Sequence, residues 1–349
     1  MSSIPRDLSL TNPLAVPDWD QRVAKFPAAT FFHSAAWARV LHDTYQHTPN
    51  YIISSGIEAP SSILPVMESR SWLSGTRGIA LPFTDECPPL LSPTTSPEPL
   101  VEFITRQARA KKWHSWEVRG GDLENGPRKA SLGFLGHRLT LDSEPSVNFS
   151  RLESGVRRAV RKAEQSDLTV EFSTSPAASA DFYRLLQLTR RRHGLPPQPF
   201  AFFQNIQRHI LAGGSGFVAL ARHHGTPIAG AVFFHFGSHA IYKFGASDAR
   251  HQQLRPNNLV MWRAIEHLIT LGCATLDFGR TSLHNTGLRR FKLSWGTTER
   301  SIRYFRYGVK ESKFMADTDQ AHGWHNQIFR ILPPIVSRRL GEFAYRHLA

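Results

Sequence analysis

The chain has 349 residues, of which 41% are hydrophobic and 20% are charged, so there is enough apolar material for a packed core and a disordered chain is excluded. The formal net charge is +14 at pH 7, which either serves solubility or favours anionic partners such as CoA, tRNA, nucleotide-sugars or anionic lipid head groups. With only two cysteines, a disulfide framework and a cysteine-based zinc site are excluded.

The first half is predicted to mix helices with strands. Ser34 is expected to cap a helix that places Trp37, Val40 and Leu41 on one face. Periodicity and turn residues also predict a second helix, four strands, a Pro- and Ser-rich loop and a linker. They are the helix over 99–112, the strands over 51–55, 62–69, 115–119 and 133–141, the loop over 81–99 and the linker over 142–150.

The second half is predicted to contain an antiparallel meander flanked by helices. Three apolar runs, 217–222, 228–236 and 240–246, are separated by turn residues. The other predicted elements are helices over 149–166, 179–192, 200–211 and 257–271, and strands over 168–172 and 274–278. Strands mixed with long helices, with little βαβ alternation, predict an α+β fold with layered, largely antiparallel sheets.

Four basic residues stack on the first of these helices. Arg157, Arg158, Arg161 and Lys162 recur at i and i+4, a spacing at which like charges destabilise a helix. We therefore expect some compensating interaction.

The start of the helix over 257–271 suggests an anion site. Asn257 and Asn258 follow Pro256 and are predicted to cap the helix, whose first N–H groups favour phosphate. Arg250 and Arg255 lie in the loop before it. The alternative is an ordinary cap with solvated arginines.

Three further residues are candidates for acyl-transfer chemistry. Asp277 is predicted at the end of a strand, beside Gly279 and Arg280, and His284 follows in a polar loop where it could carry a proton. Lys292 could stabilise an oxyanion or a phosphate. Each residue also has a structural alternative: Asp277 could lie in a turn, His284 could be a surface histidine, and Lys292 could be exposed on a strand.

Five segments together resemble a known family. They are 31–37 (Phe-Phe-His-Ser-Ala-Ala-Trp), the basic helix 156–163, Pro-Asn-Asn at 256–258, Asp-Phe-Gly-Arg at 277–280 and the Gly-, Lys- and Trp-containing stretch 287–296. Over residues 30–310 the chain resembles the Fem-type peptidyltransferases and the BioF2-like acyltransferases of the GNAT superfamily. The resemblance implies two tandem GNAT-like domains, 1–147 and 148–310, followed by a basic amphipathic tail, 311–349.

The resemblance also implies roles for individual residues. Phe291 and Lys292 match the Phe-Lys pair of the Fem branch, in which the lysine stabilises the reacting carbonyl, while Asp277 or His284 would accept the proton. The residues implied to bind the donor are Arg250, Arg255, Asn257, Asn258, Tyr242 and Lys243. Those implied to bind the acceptor are Arg280, Phe291, Trp295, Arg158 and Arg161.

The expected activity is acyl transfer, from acyl-CoA, to an amine or hydroxyl of a cell-envelope or exopolysaccharide precursor that is anionic or lipid-linked. One alternative is an aminoacyl-tRNA-dependent peptidyltransferase that builds the peptide bridges of peptidoglycan. Another is a non-catalytic GNAT-like binding module. Neither a metal nor a DNA partner is expected.

The C-terminal tail has its own hypothesis. Between Trp324 and Leu348, apolar residues alternate with arginines, a pattern that either packs on the protein or lies on an anionic membrane. Residues 1–14 have no apolar signal-peptide core and no run of about 18 apolar residues occurs. We therefore expect a cytoplasmic protein, with peripheral contact at the cytoplasmic face of the inner membrane if the tail binds lipid.

Overall fold

A computed structural model describes residues 8–54, 60–125, 128–317, 340–342, 344–345 and 347. The chain forms both helices and strands. The helices are Trp19–Ala24 (α1), Ala35–Tyr45 (α2), Glu98–Ala110 (α3), Pro145–Arg151 (α4), Ser154–Glu164 (α5), Pro176–His193 (α6), Phe200–Ile206 (α7), Pro256–Thr270 (α8) and Thr286–Leu293 (α9).

The strands complete the list of elements. They are Leu8–Thr11 (β1), Thr48–Pro49 (β2), Tyr51–Ser54 (β3), Ser62–Leu64 (β4), Met67–Ser71 (β5), Gly75–Ala80 (β6), Leu90–Leu91 (β7), Ser115–Arg119 (β8), Leu132–Thr140 (β9), Leu168–Ser173 (β10), Gly216–His223 (β11), Thr226–Phe236 (β12), His239–Ser247 (β13), Thr275–Ser282 (β14), Thr298–Gly308 (β15) and Lys313–Phe314 (β16). The predicted α+β class is confirmed.

Two compact units make up the chain. The first contains residues 8–134 and 301–317, and the second contains residues 135–300. The first unit has an antiparallel sheet in the order β1-β3-β4-β7 and a second set of strands in the order β15-β8-β6-β5-β2, with β6 and β8 parallel. Its core includes Phe103 and Ile104 of α3 against Trp116 and Val118 of β8.

The second unit is built on strands in the order β10-β11-β12-β13-β14-β9. The first four are antiparallel, and β11, β12 and β13 form the predicted meander. β13 and β14 are parallel, and α8 forms the crossover between them. Val260, Ala264 and Leu268 of α8 join one core with Ala219 and Phe233 of the meander, so the apolar stripe of α8 covers the sheet.

Some local predictions are confirmed and others are wrong. Ser34 caps α2 by accepting a hydrogen bond from the Trp37 N–H, as predicted. The predicted linker over 142–150 instead contains α4, because buried Asn148 bonds the backbone of Asp142 and Glu144 at the start of that helix. The predicted helix over 149–166 is two helices, α4 and α5, with an extended residue, Leu152, between them.

The predicted domain boundaries after residues 147 and 310 stay predictions. Most of the predicted amphipathic tail, residues 318–339, lies outside the described residues. Among the helices that are described, none is both long and apolar enough to cross a bilayer.

His33 shows what the aromatic segment 31–37 does in the first unit. Its side chain is fully buried, with Nε2 2.9 Å from the Pro88 carbonyl oxygen and Nδ1 3.1 Å from the Thr30 amide nitrogen. A neutral ring can donate to the first and accept from the second. Burial lowers the pKa of His33 to about 4, because the charged form loses its hydration.

This burial makes the stability of the first unit pH-dependent. Since the pKa of His33 is about 6.5 when unfolded and about 4 when folded, its stabilisation is complete above pH 6.5 and is lost as the pH falls towards 4. The loss should reach roughly 3 kcal/mol. Urea unfolding of wild type and His33→Gln at pH 7.5 and 4.5 measures it. If the two proteins lose the same free energy of unfolding over this range, His33 is not the group responsible.

Candidate active site

A cavity of about 560 Å³ lies in the second unit between α5, α8 and α9. Of the described residues that line it, four are cations, Arg158, Lys162, Arg255 and Arg290, and one is an acid, Glu153. This surplus of positive charge at a concave surface favours an anionic ligand.

The basic stack on α5 divides into two pairs with different partners. Arg157 donates to the Ser150 carbonyl oxygen at 2.8 Å, and the Arg161 guanidinium lies 5.7 Å from the centre of the Phe149 ring. Arg158 and Lys162, one helical turn apart, line the cavity. Contacts with α4 therefore compensate one pair, while the other pair is left facing the cavity.

The start of α8 differs from the prediction. Asn257 and Asn258 do not cap it; the N-cap is Arg255, whose φ of 59° lies in the left-handed region and whose side chain makes no capping bond. The Asn257 side chain donates to the Ser247 hydroxyl at 3.2 Å. Pro256 has no N–H, and the Asn258 N–H bonds the Arg255 carbonyl oxygen, so the first turn offers few backbone donors to an anion.

Lys292 lies on a helix and is buried, neither of which was predicted. Asn285 caps α9 by accepting from the Leu288 N–H, and Lys292 is only 4% exposed. Its ammonium donates to the carbonyl oxygens of Gly279 and Arg280 on β14, both at 2.9 Å. It therefore fastens α9 to the strand, while Gly287, Arg290 and Phe291 line the cavity.

β13 and β14 pair over a short stretch only. The register joins His239, Ala240 and Ile241 to Thr275, Leu276 and Asp277, whereas the strands continue to Ser247 and Ser282. Within the described residues the two strands therefore stop pairing partway along, at a topological position where ligands bind in open α/β sheets. On the other edge of β13, Lys243 is the extra residue of a β-bulge opposite Val232 and Phe233.

A line of aromatic rings runs from the cavity to this opening. Phe291 contacts Trp295 at 6.4 Å between ring centroids, Trp295 contacts Phe278 at 6.5 Å, and Phe278 contacts Tyr242 at 5.9 Å. Burial raises the pKa of Tyr242 to about 12, so its hydroxyl stays protonated at neutral pH. Phe291 at the cavity and Tyr242 on β13 therefore belong to one continuous set of ring contacts.

Asp277 lies inside β14 rather than at its end, because the strand continues to Ser282. The Asp277 carboxylate accepts from the Gly279 N–H at 2.8 Å and from Arg300 at 3.0 Å, with Arg138 at 3.5 Å. It is therefore engaged in holding neighbouring strands.

Of the sequence-predicted residues, the structure brings Arg158, Arg255, Asn258 and Phe291 together around the cavity. The remaining ones are absent from the described lining: Arg161, Arg250, Asn257, Tyr242, Lys243, Asp277, Arg280, His284, Lys292 and Trp295. Arg250 pairs with Asp248 at 2.6 Å, and the Lys243 ammonium lies 5.5 Å from the centre of the Phe244 ring. His284 is exposed.

Sequence reasoning missed several lining residues that helical spacing would have found. Lys162 lies four residues after Arg158, and Gly287 lies three and four residues before Arg290 and Phe291. Glu153 carried no such signal. A buried histidine, His137, was also missed; its Nε2 lies 3.3 Å from Glu299. Burial, and then the Lys292 charge, lowers the pKa of His137.

The contacts of Lys292 change what its removal should do. Replacing it with Met would leave two buried carbonyls without donors, so we expect Lys292→Met to lower the free energy of unfolding by about 2 kcal/mol or more. Lys129→Met, at an exposed lysine, is the matched control for urea unfolding. Unchanged stability together with lost turnover would instead assign the ammonium to the reacting carbonyl.

Comparison with known proteins bears on this segment directly. Residues 150–293 match the family model described as an acetyltransferase (GNAT) domain, and this segment contains α5, α8 and α9. A comparison with curated protein sequences finds no significant match.

Solved structures show the same fold over most of the chain. FemX is 15% identical, with 85% of this chain and 96% of that chain covered and a TM-score of 0.69. The C-terminal domain of a putative lysylphosphatidylglycerol synthetase from Agrobacterium fabrum is 14% identical, with 82% and 90% covered and a TM-score of 0.55. A tandem GNAT protein from the clavulanic acid biosynthesis pathway is 10% identical, with 90% and 99% covered and a TM-score of 0.53.

These likenesses confirm the predicted fold of two tandem GNAT-like domains. All but one of the described residues that line the cavity between α5, α8 and α9 fall within residues 150–293, the segment that matches the acetyltransferase (GNAT) domain model, and this match indicates an acyltransferase.

Proposed function

We propose that this cavity binds the phosphate groups of an acyl donor and that the enzyme transfers the acyl group to an amine or hydroxyl. The observation that carries the proposal is the cluster of Arg158, Lys162, Arg255 and Arg290 around one cavity in the GNAT domain. Guanidinium groups bind phosphate oxygens with strong, charge-assisted hydrogen bonds.

Acyl-CoA is the first donor we propose. Its pyrophosphate would lie among the four cations, and its extended arm would follow the unpaired part of β13 and β14. The arm would leave the cavity past Phe291, which is 38% exposed.

Aminoacyl-tRNA is a second candidate, and the first turn of α8 favours it. Pyrophosphate is commonly bound by backbone N–H groups at a helix start, but Pro256 has none and the Asn258 N–H is already bonded to the Arg255 carbonyl. Side-chain cations alone suit the spaced phosphates of a nucleic acid equally well. Exposed Arg191 and Arg192 at the end of α6 add basic surface in the same unit.

In the reaction, the acceptor nitrogen or oxygen attacks the donor carbonyl and loses a proton. With an acyl-CoA donor, whose thioester lies at the far end of the arm, we propose that Asp277 or His284 accepts that proton. With aminoacyl-tRNA, whose ester lies next to the last phosphate, we propose that Glu153, the one carboxylate among the described lining residues, accepts it. A C–N or C–O bond forms, the bond from the carbonyl to sulfur (CoA) or oxygen (tRNA) breaks, and the leaving group takes a proton from water. We assign Lys292 the role of positioning α9, so it acts through Arg290 and Phe291.

The acceptor in this proposal is a cell-envelope or exopolysaccharide precursor, anionic or lipid-linked. The family resemblance supports this choice, and a structure of the same fold is named as a putative lysylphosphatidylglycerol synthetase, an enzyme whose named product is a lipid. Because CoA and charged tRNA are both cytoplasmic, the proposal implies action in the cytoplasm. A GNAT-like binding module without turnover is the alternative from another class.

Donor binding tests the proposal. We expect acetyl-CoA, or a longer acyl-CoA, to bind with micromolar affinity in a calorimetric titration. Arg158→Gln and Arg290→Gln should each weaken binding about 10-fold or more, because each removes a charge-assisted bond to phosphate. Binding of aminoacyl-tRNA alone would select the second donor, and binding without transfer to any acceptor would favour the non-catalytic module.

Matched variants separate binding in the cavity from general charge effects. Arg208→Gln removes the same charge from an exposed site outside the cavity and should leave the affinity unchanged. Around Gly287 only one atom lies within 4 Å of a potential Cβ, at 3.9 Å, so Gly287→Ala should bind as wild type and Gly287→Phe should block the donor. Binding as tight as that of wild type by Arg158→Gln, Arg290→Gln and Gly287→Phe would place the donor elsewhere.

The role of Glu153 has a kinetic test. With aminoacyl-tRNA as donor, Glu153→Gln should lower kcat by about 100-fold or more with the KM of the donor unchanged, because the amide cannot accept the proton. Glu144→Gln, at another exposed carboxylate just before a helix, is the control. A Glu153→Gln enzyme with normal kcat would exclude Glu153 as the base.

A further inference from the structure

A second cavity, of about 540 Å³, lies in the first unit. It is formed by the start of β6, the turn between α3 and β8, and the hairpin between β15 and β16. The His114 N–H bonds the Thr76 carbonyl oxygen at 2.8 Å, and the Val309 N–H bonds the His114 carbonyl oxygen at 3.0 Å. These backbone bonds hold the three segments together, so the walls of the cavity are fixed by the fold of the unit.

Cations outnumber acids around this cavity. Arg77, Lys112, Arg306 and Lys310 line it, whereas Glu311 is the one carboxylate in the described lining. The balance therefore favours an anion, as it does in the acyl-transfer cavity.

Arg77 lacks the partners that a partly buried guanidinium requires. Its Nε is buried without a hydrogen-bond partner among the described residues, and its Nη2 reaches the His347 carbonyl oxygen only at 3.5 Å. Burial, and then the nearby Arg306 charge, lowers the pKa of Arg77. A buried polar atom of this kind costs free energy unless a ligand satisfies it.

The nearest carboxylate does not relieve this deficit. Glu117 is buried and is already shared by Arg119, at 2.6 Å, and by Arg306, at 2.6 and 2.9 Å. Its charge is therefore divided between two other arginines before it acts on Arg77. Arg306 also pairs with Asp317, so among the described residues the positive charge left without a carboxylate partner here is that of Arg77, which an anionic ligand would balance.

The opposite part of the lining is apolar. Trp113, Val309 and Met315 contribute to it, and Met315 is 37% exposed. Trp113 is 3% exposed, so its ring does not offer a face on which a nucleobase could stack. Flexible, polarisable methionine suits alkyl chains of varied shape.

We propose that this cavity binds a small amphiphilic anion, with its phosphate or carboxylate group at Arg77 and Arg306 and its apolar group against Val309 and Met315. The site is separate from the acyl-transfer cavity, because its lining residues all belong to the first unit.

Calorimetric titration of the full chain with defined probes tests the proposal. The probes are n-octyl phosphate, octanoate, inorganic pyrophosphate and octyl glucoside. We expect n-octyl phosphate or octanoate to bind at least about 10-fold more tightly than pyrophosphate or octyl glucoside, because only the first two combine charge with an apolar chain. Whether the phosphate or the carboxylate binds more tightly identifies the head group.

Variants assign the binding to this cavity. Arg77→Gln and Met315→Gln should each weaken the amphiphile by about 10-fold, whereas Arg39→Gln, at an exposed arginine of α2, should bind as wild type. Lys310→Gln, at an exposed side chain, gives the same test if Arg77→Gln does not fold. Acyl transfer by these variants should be unchanged, so failure here leaves the proposed function intact.

Three results would overturn the proposal. They are no binding of any probe, pyrophosphate or octyl glucoside binding as tightly as the amphiphiles, and amphiphile binding that Arg158→Gln removes while Arg77→Gln does not. The last result would locate the amphiphile in the acyl-transfer cavity.

Discussion

The buried ammonium of Lys292 is the constraint on which the site depends. Removing a lysine charge from water is costly, and here the cost is offset by two carbonyl oxygens of β14 at 2.9 Å. Both carbonyls lie beyond Asp277, where β14 no longer pairs with β13. Lys292 donates to both and thereby fixes the rotation of α9. The helical period then turns Gly287, Arg290 and Phe291 towards the cavity.

The basic residues of α5 fall into two pairs with different surroundings. Like charges one turn apart destabilise a helix, yet α5 carries two such pairs. Arg157 and Arg161 are compensated by a backbone oxygen and a ring of α4. Within the described residues the side chains of Arg158 and Lys162 make no hydrogen bond or ion pair, and they line the cavity together with Arg255 and Arg290. All four side chains are exposed, so water screens their repulsion, and a single anion in the cavity would lie near several of them.

Periodicity in the sequence was sufficient to predict the meander, α8 and the capping of α2 by Ser34, because each depends on residues near one another in the chain. Where long-range contacts decide, prediction failed. The lysine in a segment that reads as a loop is helical and buried because β14 supplies its acceptors. Asp277 lies within a strand because Arg138 and Arg300 approach it from elsewhere in the chain. Of the residues predicted for the site, Arg158, Arg255, Asn258 and Phe291 line the cavity. Only for Arg158 does the direction of the side chain follow from the spacing along a predicted helix, α5, because that spacing is encoded locally.

The distribution of charge favours ligands over solubility as the reason for the basic composition. The two cavities are lined by eight cations and two carboxylates, a net +6 out of the +14 of the whole chain. A charge surplus kept only for solubility would be spread over convex surface, where water screens it. The four cations of the GNAT-domain cavity are exposed, so water screens their repulsion and a bound anion would gain several contacts at once without relieving a buried charge. In the cavity of the first unit Arg77 and Arg306 are partly buried, and Trp113, Val309 and Met315 add an apolar part to the lining.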